Sequence, residues 1–328
     1  MIKIGVIGAG HLGKIHIQCI KQVDQLELVG FYDTDPRIAE QVSEEYGIKH
    51  FDSIEELIEE CDAVDIVTPT VAHFEAATKT LKRGRHVFIE KPIVATPQEA
   101  DKLRSIAYEA NVKVQVGHVE RFNPAFIAAK QFINKPKYIE AHRISRYKKR
   151  GSDVPVVLDL MIHDIDIVLN VVKSNVKKIT ASGVTLVSSS PDLANARIEF
   201  TNGCVANLTA SRIASVDMRK MRFFQNDSFV TVDFLDKKTE IIKLVESNKE
   251  PVENGSSIVS VTKINNEKGN FNLLIETPIV IHTNAIVEEL KSFADSILNN
   301  DEPIVTIDDG NDALIVAYKI LEKIENKL

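Results

Sequence analysis

Over its first third the chain alternates short apolar runs with stretches of helical periodicity. Ile2–Ile7 is a nearly continuous apolar run, the mark of a buried strand, and Leu26–Phe31 is a second. Between them, from His11 to about Val23, Leu12, Ile15, Ile20 and Val23 recur at helical spacing. The same grammar predicts helix Pro36–Tyr46, a short strand Ile48–Phe51, and a helix opening at Ser53-Ile54-Glu55-Glu56, where Ser three before Glu has capping-box spacing. Strand Ala63–Val67, helix Ala72–Lys82 stopped by Gly84, strand His86–Ile89, a helix from about Pro97 to Asn111 and a sixth strand, Lys113–Val116, follow. Strands alternating with helices predict a parallel, doubly wound sheet with ligands at the carboxyl ends of its strands, where Gly10, Asp33, Thr68, Lys91 and Gly117 fall.

Past Gly117 the pattern changes. Pro124–Ile133 reads as a helix, Lys137–Arg146 as extended, and Val154–Val172 as an apolar helix interrupted by polar residues. Short strands then repeat: Ile179–Val187, Ala194–Thr201, Cys204–Ser211, Met221–Phe224, Phe229–Leu235, Thr239–Val245 and Ile258–Ile264, with turn signals such as Thr201-Asn202-Gly203 between them. They predict one large, mostly antiparallel open sheet with a face covered by helices. Lys249–Ser257 and Asn265–Asn270 read as polar loops, and helices at about Asn284–Leu298 and Gly310–Lys327 finish the chain. The expected class is α/β in two domains, residues 1–122 and 123–328, and a length of 328 residues suits two cores.

The junction of the first strand and helix is Gly8-Ala9-Gly10-His11-Leu12-Gly13, and Asp33 comes twenty residues after Gly13. Strand, G-x-G-x-x-G, helix, strand and then an acid is the dinucleotide-binding fingerprint in its required context. Gly8 makes the tight turn, Gly10 lets the backbone approach a pyrophosphate, and Gly13 lets helix and strand pack closely. Free N–H groups at the helix start receive the diphosphate. A carboxylate at Asp33 accepts from a ribose 2′-hydroxyl and repels a 2′-phosphate. Asp35 adds negative charge beside Arg37, so NAD is the expected cofactor.

Composition narrows the partners. A net charge of −7 argues against nucleic acid as the main one. No apolar run approaches membrane-spanning length, and a first strand beginning at Ile2 is read as leaving no room for a signal or transit peptide. Cys19, Cys61 and Cys204 are odd in number and far apart, which suits neither a disulfide framework nor a zinc site. Thiols of that kind place the chain in a reducing compartment, the cytoplasm.

Three groups of residues could carry chemistry. Lys91 stands just past a strand end and before Pro92, where a fixed turn would aim its ammonium at a cleft. Asp159, His163 and Asp166, at i, i+4 and i+7, share one face of an otherwise apolar helix. Charge is costly there unless paired or used. Two carboxylates and an imidazole could ligate a metal, but no second His or Cys cluster supports one and none is expected. A core histidine held by Asp166 and a general base remain as readings. The run Arg143–Arg150 holds Arg143, Arg146, Lys148, Lys149 and Arg150 without an acid, either as a solvated face or as a receptor for a diphosphate.

Gly8–Gly13, Thr68-Pro69 with His73, Glu90-Lys91-Pro92 and Asp159-x-x-x-His163-x-x-Asp166, in this order, resemble the glucose-fructose oxidoreductase / inositol dehydrogenase / MocA family over nearly the whole chain. The resemblance implies a Rossmann domain and an α/β domain with an open antiparallel sheet. It further implies NAD(P)-dependent oxidation or reduction of a sugar-like alcohol, and a homo-oligomer, dimer or tetramer, built through that sheet. It places Gly8, Gly10, His11, Leu12, Gly13, Asp33, Thr68, Pro69, His73, Glu90 and Lys91 at the cofactor. Lys91 then contacts the nicotinamide ribose and the reacting hydroxyl, either His163, the favoured base, or Lys91 takes the proton, and Asp159 orients substrate. Gly117–Pro124 and Val157–Asp166 are similar to the branch acting on UDP-N-acetylhexosamine-type sugars, where a 3-hydroxyl is oxidised to a ketone. That likeness adds Arg121 and Asn123 as substrate contacts, and the diphosphate reading of the basic run adds Arg146 and Arg150. Met161 stands where many relatives carry glycine, so either substrate access or packing is expected to differ there. A free sugar or polyol dehydrogenase and a non-catalytic NAD-sensing regulator are the alternatives.

Overall fold

A computed structural model describes residues 1–147, 154–246, 256–266 and 269–326. They form two compact units, Met1–Val119 with Asn284–Ile315, and Glu120–Thr283 with Val316–Leu328.

In the first unit, β1 (Ile2–Ile7), β2 (Leu26–Tyr32), β3 (Ala63–Ile66), β4 (His86–Glu90) and β5 (Val114–Gly117) form a parallel sheet in the order β2-β1-β3-β4-β5. The direction of winding reverses between β1 and β3, which puts the mouth of a doubly wound sheet at the ends of those two strands. The sheet has five strands rather than six. Residues 48–51, which follow the Gly47 cap (φ 63°) of helix α2 (Pro36–Tyr46), make only a bridge between His50 and Phe31. Local signals hold elsewhere. Ser53 Oγ accepts from the Glu56 N–H at the start of α3 (Ile54–Glu59), and Thr96 and Glu99 form a reciprocal capping box on α5 (Pro97–Ala110). Helix α1 (His11–Ile20) and helix α8 (Ala285–Leu298) cover one face. Ile17 and Ile20 share a core with Leu290, Phe293 and Ala294, and the Phe88 and Phe293 rings meet edge-on at 5.9 Å. Helix α4 (His73–Leu81) follows β3.

The second unit is built on nine strands: β6 (Tyr138–Ile144), β7 (Val176–Val184), β8 (Leu193–Phe200), β9 (Val205–Ser211), β10 (Met218–Phe224), β11 (Ser228–Asp233), β12 (Lys238–Glu246), β13 (Ser256–Asn266) and β14 (Gly269–Pro278). Their order is β13-β14-β12-β11-β10-β6-β9-β8-β7. Every pairing is antiparallel except β6 with β9. Strand β14 was not expected from sequence, since Asn270 and Asn272 dilute its alternation. Inward positions on β6, β8 and β9 alternate with exposed or half-buried ones, so one face is packed. Helices α6 (Pro124–Lys130) and α7 (Ile162–Val172) pack in this unit, α7 against β6 and β9. The helix expected over 154–172 is not uniform: Val157–Met161 is a π turn, and α-geometry begins only at Ile162. Such turns widen a helix by one residue and often mark functional sites. Helix α9 (Ile307–Glu325) ends the described chain. Among the described residues no helix is long and apolar enough to cross a membrane.

Candidate active site

The loop after β1 packs as the glycine spacing requires. Gly8 has φ 96°, and a Cβ there would stand 2.9 Å from the backbone of Val67 and Thr68. A Cβ on Gly13 would stand 2.0 Å from the Gly8 carbonyl oxygen, so only glycine lets α1 lie this close to the loop. A Cβ at Gly10 would meet nothing within 4 Å. Open space over Gly10, a helix start without a side-chain cap or an acid in its first turn, and the buried Thr68 Oγ1 with no hydrogen-bond partner together fit a diphosphate-containing ligand. His11 is exposed and Leu12 half-buried at this rim. Asp33 closes the loop from β2: its carboxylate accepts from Ala9 N–H at 2.7 Å and from Asp35 N–H at 2.9 Å. Two carboxylate oxygens offer about four lone-pair sites, so Asp33 keeps capacity for a hydroxyl. The Arg37 guanidinium is turned to Asp35, at 3.1 and 3.3 Å.

At the ends of β3 and β4, His73 is buried, with its ring nitrogens 2.9 Å from the carbonyl oxygens of Thr68 and Pro92. Burial pushes its pKa down against the pull of those carbonyls. His73 therefore ties two loops together and has no surface to offer a ligand. Pro69 is exposed beside Thr68. Lys91 is half-buried and the Lys91–Pro92 peptide is cis. Its N–H donates to Glu90 Oε2 at 3.1 Å. Glu90 is buried and lies 3.3 Å from His16 Nε2, and His16 Nδ1 lies 2.8 Å from Asp65. Sequence reading passed over His16, Asp65 and Glu289. The available signal was a histidine between Gly13 and Ile17 on the apolar face of α1.

In the second unit Asp159 lies in the π turn and His163 in the first turn of α7, both half-buried. Asp166, expected beside them, turns inward. It receives Arg121 as a bidentate pair, Nε to Oδ2 at 2.8 Å and Nη2 to Oδ1 at 2.6 Å, with both side chains buried. Arg143 makes a second buried pair with Asp164 at 2.9–3.2 Å and donates to Glu120 at 2.8 Å. Burial works against the Arg143 charge, but Asp164 and Glu120 raise its pKa still higher. Asn123 donates to Glu120 and to the Phe234 carbonyl, and its side-chain oxygen caps α6 at Ala125. Arg121, Asn123 and Arg143 thus form the frame under α7, and none of the three stands open to a substrate. Arg146 is exposed, with its main-chain N–H on Asp217. Arg150, with Lys148 and Lys149, lies outside the described residues.

Residues 2–118 match the model of an oxidoreductase family with an NAD-binding Rossmann fold, and residues 130–226 match a GFO/IDH/MocA C-terminal domain. The chain is 39% identical over 241 residues, 73% of its length and 76% of the relative's, to a UDP-N-acetylglucosamine 3-dehydrogenase of Acidithiobacillus ferrooxidans. The chain belongs to the GFO/IDH/MocA oxidoreductase family. A solved structure of that dehydrogenase superposes on this family member with a TM-score of 0.87 at 32% identity, covering 99% of this chain and 98% of the other. A scyllo-inositol dehydrogenase from Lactobacillus casei with bound NAD(H) and scyllo-inositol shares the fold, with a TM-score of 0.79 at 23% identity over 100% and 98%. A myo-inositol 2-dehydrogenase of Thermotoga maritima is 24% identical over 99% of this chain and 97% of its own. This GFO/IDH/MocA oxidoreductase is an NAD-binding enzyme, and Asp33 is the residue expected to hold the ribose hydroxyl. Losing a hydrogen bond to a charged group costs about 1.5–3 kcal/mol, roughly ten- to hundredfold in Kd. Asp33→Ala should weaken NADH binding on that scale and narrow the gap to NADPH, as read by nucleotide fluorescence titration. Equal wild-type affinity for the two nucleotides would defeat the assignment.

Proposed function

We propose that this enzyme oxidises the 3-hydroxyl of a UDP-N-acetylhexosamine-type nucleotide sugar with NAD. The observation that carries this is the 39% identity to a UDP-N-acetylglucosamine 3-dehydrogenase over 241 residues, in a chain that has Lys91, Asp159 and His163. NAD, when bound, takes up the hydride from the carbon bearing the hydroxyl. The chain supplies the rest. His163 accepts the hydroxyl proton, a task for which imidazole is suited because it titrates near neutral pH. Lys91 places a positive charge beside the oxygen as it becomes a carbonyl, and Asp159 orients the hydroxyl. The products are a ketone, NADH and a proton.

Arg146 and Arg150 serve the diphosphate in this reading, Arg146 being exposed and free of acidic side chains in the run around it. The test compares UDP-N-acetylglucosamine with free N-acetylglucosamine and myo-inositol while NADH formation is followed. The nucleotide sugar should be the substrate, and Arg146→Ala and Arg150→Ala should raise its KM with little change in NADH affinity. Equal oxidation of a free sugar or polyol, with no response to either substitution, would make the enzyme a plain sugar or polyol dehydrogenase. A cytoplasmic setting agrees with three buried free thiols. We also place a homo-oligomer interface on the nine-stranded sheet, where Val184 and Leu244 are about half exposed, 47% each. Light scattering of the purified chain tests it, and a monomer would refute it.

A further inference from the structure

His16 is an ionisable side chain with no exposure, set in the core of the first unit. It lies on the inner side of α1, a turn after Gly13, with the Phe88 ring edge-on at 5.9 Å. Three carboxylates gather round it: Asp65 from β3, Glu90 at the end of β4 and Glu289 from α8. Cys19 is the titratable neighbour on its own helix. Both ring nitrogens face carboxylates, Nδ1 at 2.8 Å from Asp65 and Nε2 at 3.3 Å from Glu90. Nδ1 is hydrogen-bonded to Asp65, and Nε2 meets Glu90 as a close charge pair without hydrogen-bond geometry.

We propose that the imidazole of His16, held between Asp65 and Glu90, positions Lys91 through the Glu90 carboxylate. Glu90 is fixed on three sides. His16 Nε2 faces Oε1, the Lys91 N–H donates to Oε2 at 3.1 Å, and Gly117 leaves the room, since a Cβ there would stand 2.9 Å from Oε1. Glu90 thereby grips the peptide from which the Lys91 side chain springs. His16 also joins that strand end to α1, the helix whose start carries the glycine loop, so dinucleotide loop and lysine share one polar tie. Buried ion pairs add little net stability over well-packed apolar groups of the same volume. What this one contributes is the placement of the groups it holds.

The electrostatics agree. Burial would lower the His16 pKa, but the charge and hydrogen bond of Asp65, with help from Glu90, hold it well above its ordinary value. Burial would raise Glu90, and the His16 imidazolium beside it, then the charge of Lys91, bring it below the usual carboxylate range. Without His16, burial is left to push Glu90 upward, toward a neutral carboxyl that grips the Lys91 N–H less well.

This inference rests on the reading of Lys91 as part of the reaction, and the test separates the two. His16→Leu, His16→Gln and Lys91→Ala are compared with the wild type in the full chain, with UDP-N-acetylglucosamine and NAD. A small misplacement of a catalytic group costs up to about 10²-fold. His16→Leu should therefore lower kcat roughly ten- to hundredfold with nearly unchanged NADH affinity. Its acid limb in the pH profile of kcat should move to higher pH, and adding Glu90→Gln should remove that movement. His16→Gln, which keeps a donor toward Glu90, should recover part of the rate. In the nucleotide-free protein, nitrogen NMR should find both His16 ring nitrogens protonated above pH 7, and Glu90→Gln with Asp65→Asn should abolish this. A wild-type kcat and pH profile in His16→Leu, beside an inactive Lys91→Ala, would overturn the positioning role alone. If His16→Leu does not fold, the acid limb of His16→Gln decides, since glutamine keeps a donor but no charge: an unmoved limb overturns the positioning role. Wild-type turnover in Lys91→Ala would overturn the reading of Lys91 itself, and this inference with it.

Discussion

Replacing His163 by alanine is expected to lower kcat roughly 10²–10⁴-fold, the usual contribution of a positioned general base, while NADH binds nearly as before. The expectation rests on where the structure leaves His163. Of the polar residues on this stretch, Asp164 and Asp166 are buried in ion pairs with Arg143 and Arg121. Asp159 and His163 stay half-buried, one in the π turn and the other just after it. A core histidine held by Asp166 was the competing reading, and Asp166 is instead taken up by both arms of Arg121, at 2.6 and 2.8 Å. Steady-state turnover with the nucleotide sugar, alongside NADH titration, decides it. Turnover at the wild-type rate in His163→Ala would end the base assignment. Asp159→Asn keeps shape and hydrogen bonding but removes the charge, so it should raise KM along with lowering kcat if Asp159 orients the hydroxyl.

The second large effect concerns stability. Arg143→Met should destabilise the protein by about 3–5 kcal/mol, the range found when one partner of a buried ion pair is removed. Arg143 answers two buried carboxylates, Asp164 and Glu120, and methionine fills much of its volume without a charge. The pH dependence gives a signature. Burial already raises the Asp164 pKa, against the pull of Arg143. Without the arginine, the folded state holds a proton on this pair more tightly than the unfolded state does. Where the folded state binds more protons, stability falls as pH rises. The loss in Arg143→Met should thus be full at neutral pH and above, and shrink as the pH falls through the raised folded pKa. Urea unfolding at several pH values measures it. A loss below about 1 kcal/mol would mean that the pair resembles an exposed one.

Much of the dinucleotide half was legible because its determinants are local. Turn geometry, close packing and the helix start lie within Gly8–Gly13, and an acid at the end of the next strand is a matter of spacing. Caps such as Ser53 with Glu56 are readable for the same reason: both partners sit within one turn. The basic run Arg143–Arg150 shows where linear reading stopped. Taken as a block it looks like one charged face. Strand β6 has period two, however, and puts Arg143 on the buried face with Ile139 and Ala141. That alternation was the signal, and its partners Glu120 and Asp164 are more than twenty residues away in either direction.

By itself, then, the sequence determined the parallel βα unit, the family and the identity of the polar groups on Val157–Asp166. These follow from short-range periodicity, turn chemistry and residue type, which survive in any arrangement of the rest. Only the tertiary structure decided which of those polar groups are spent inside. Burial leaves a charge no water, so it must find a partner wherever the chain crosses. Arg121, Asn123 and Arg143 were committed to the frame under α7, and His73 to two carbonyl oxygens. Helix α8, near the end of the chain, was committed to the core of the first unit, where its Glu289 meets His16 and Glu90. Each of those pairings joins residues distant in sequence, and no local pattern encodes them.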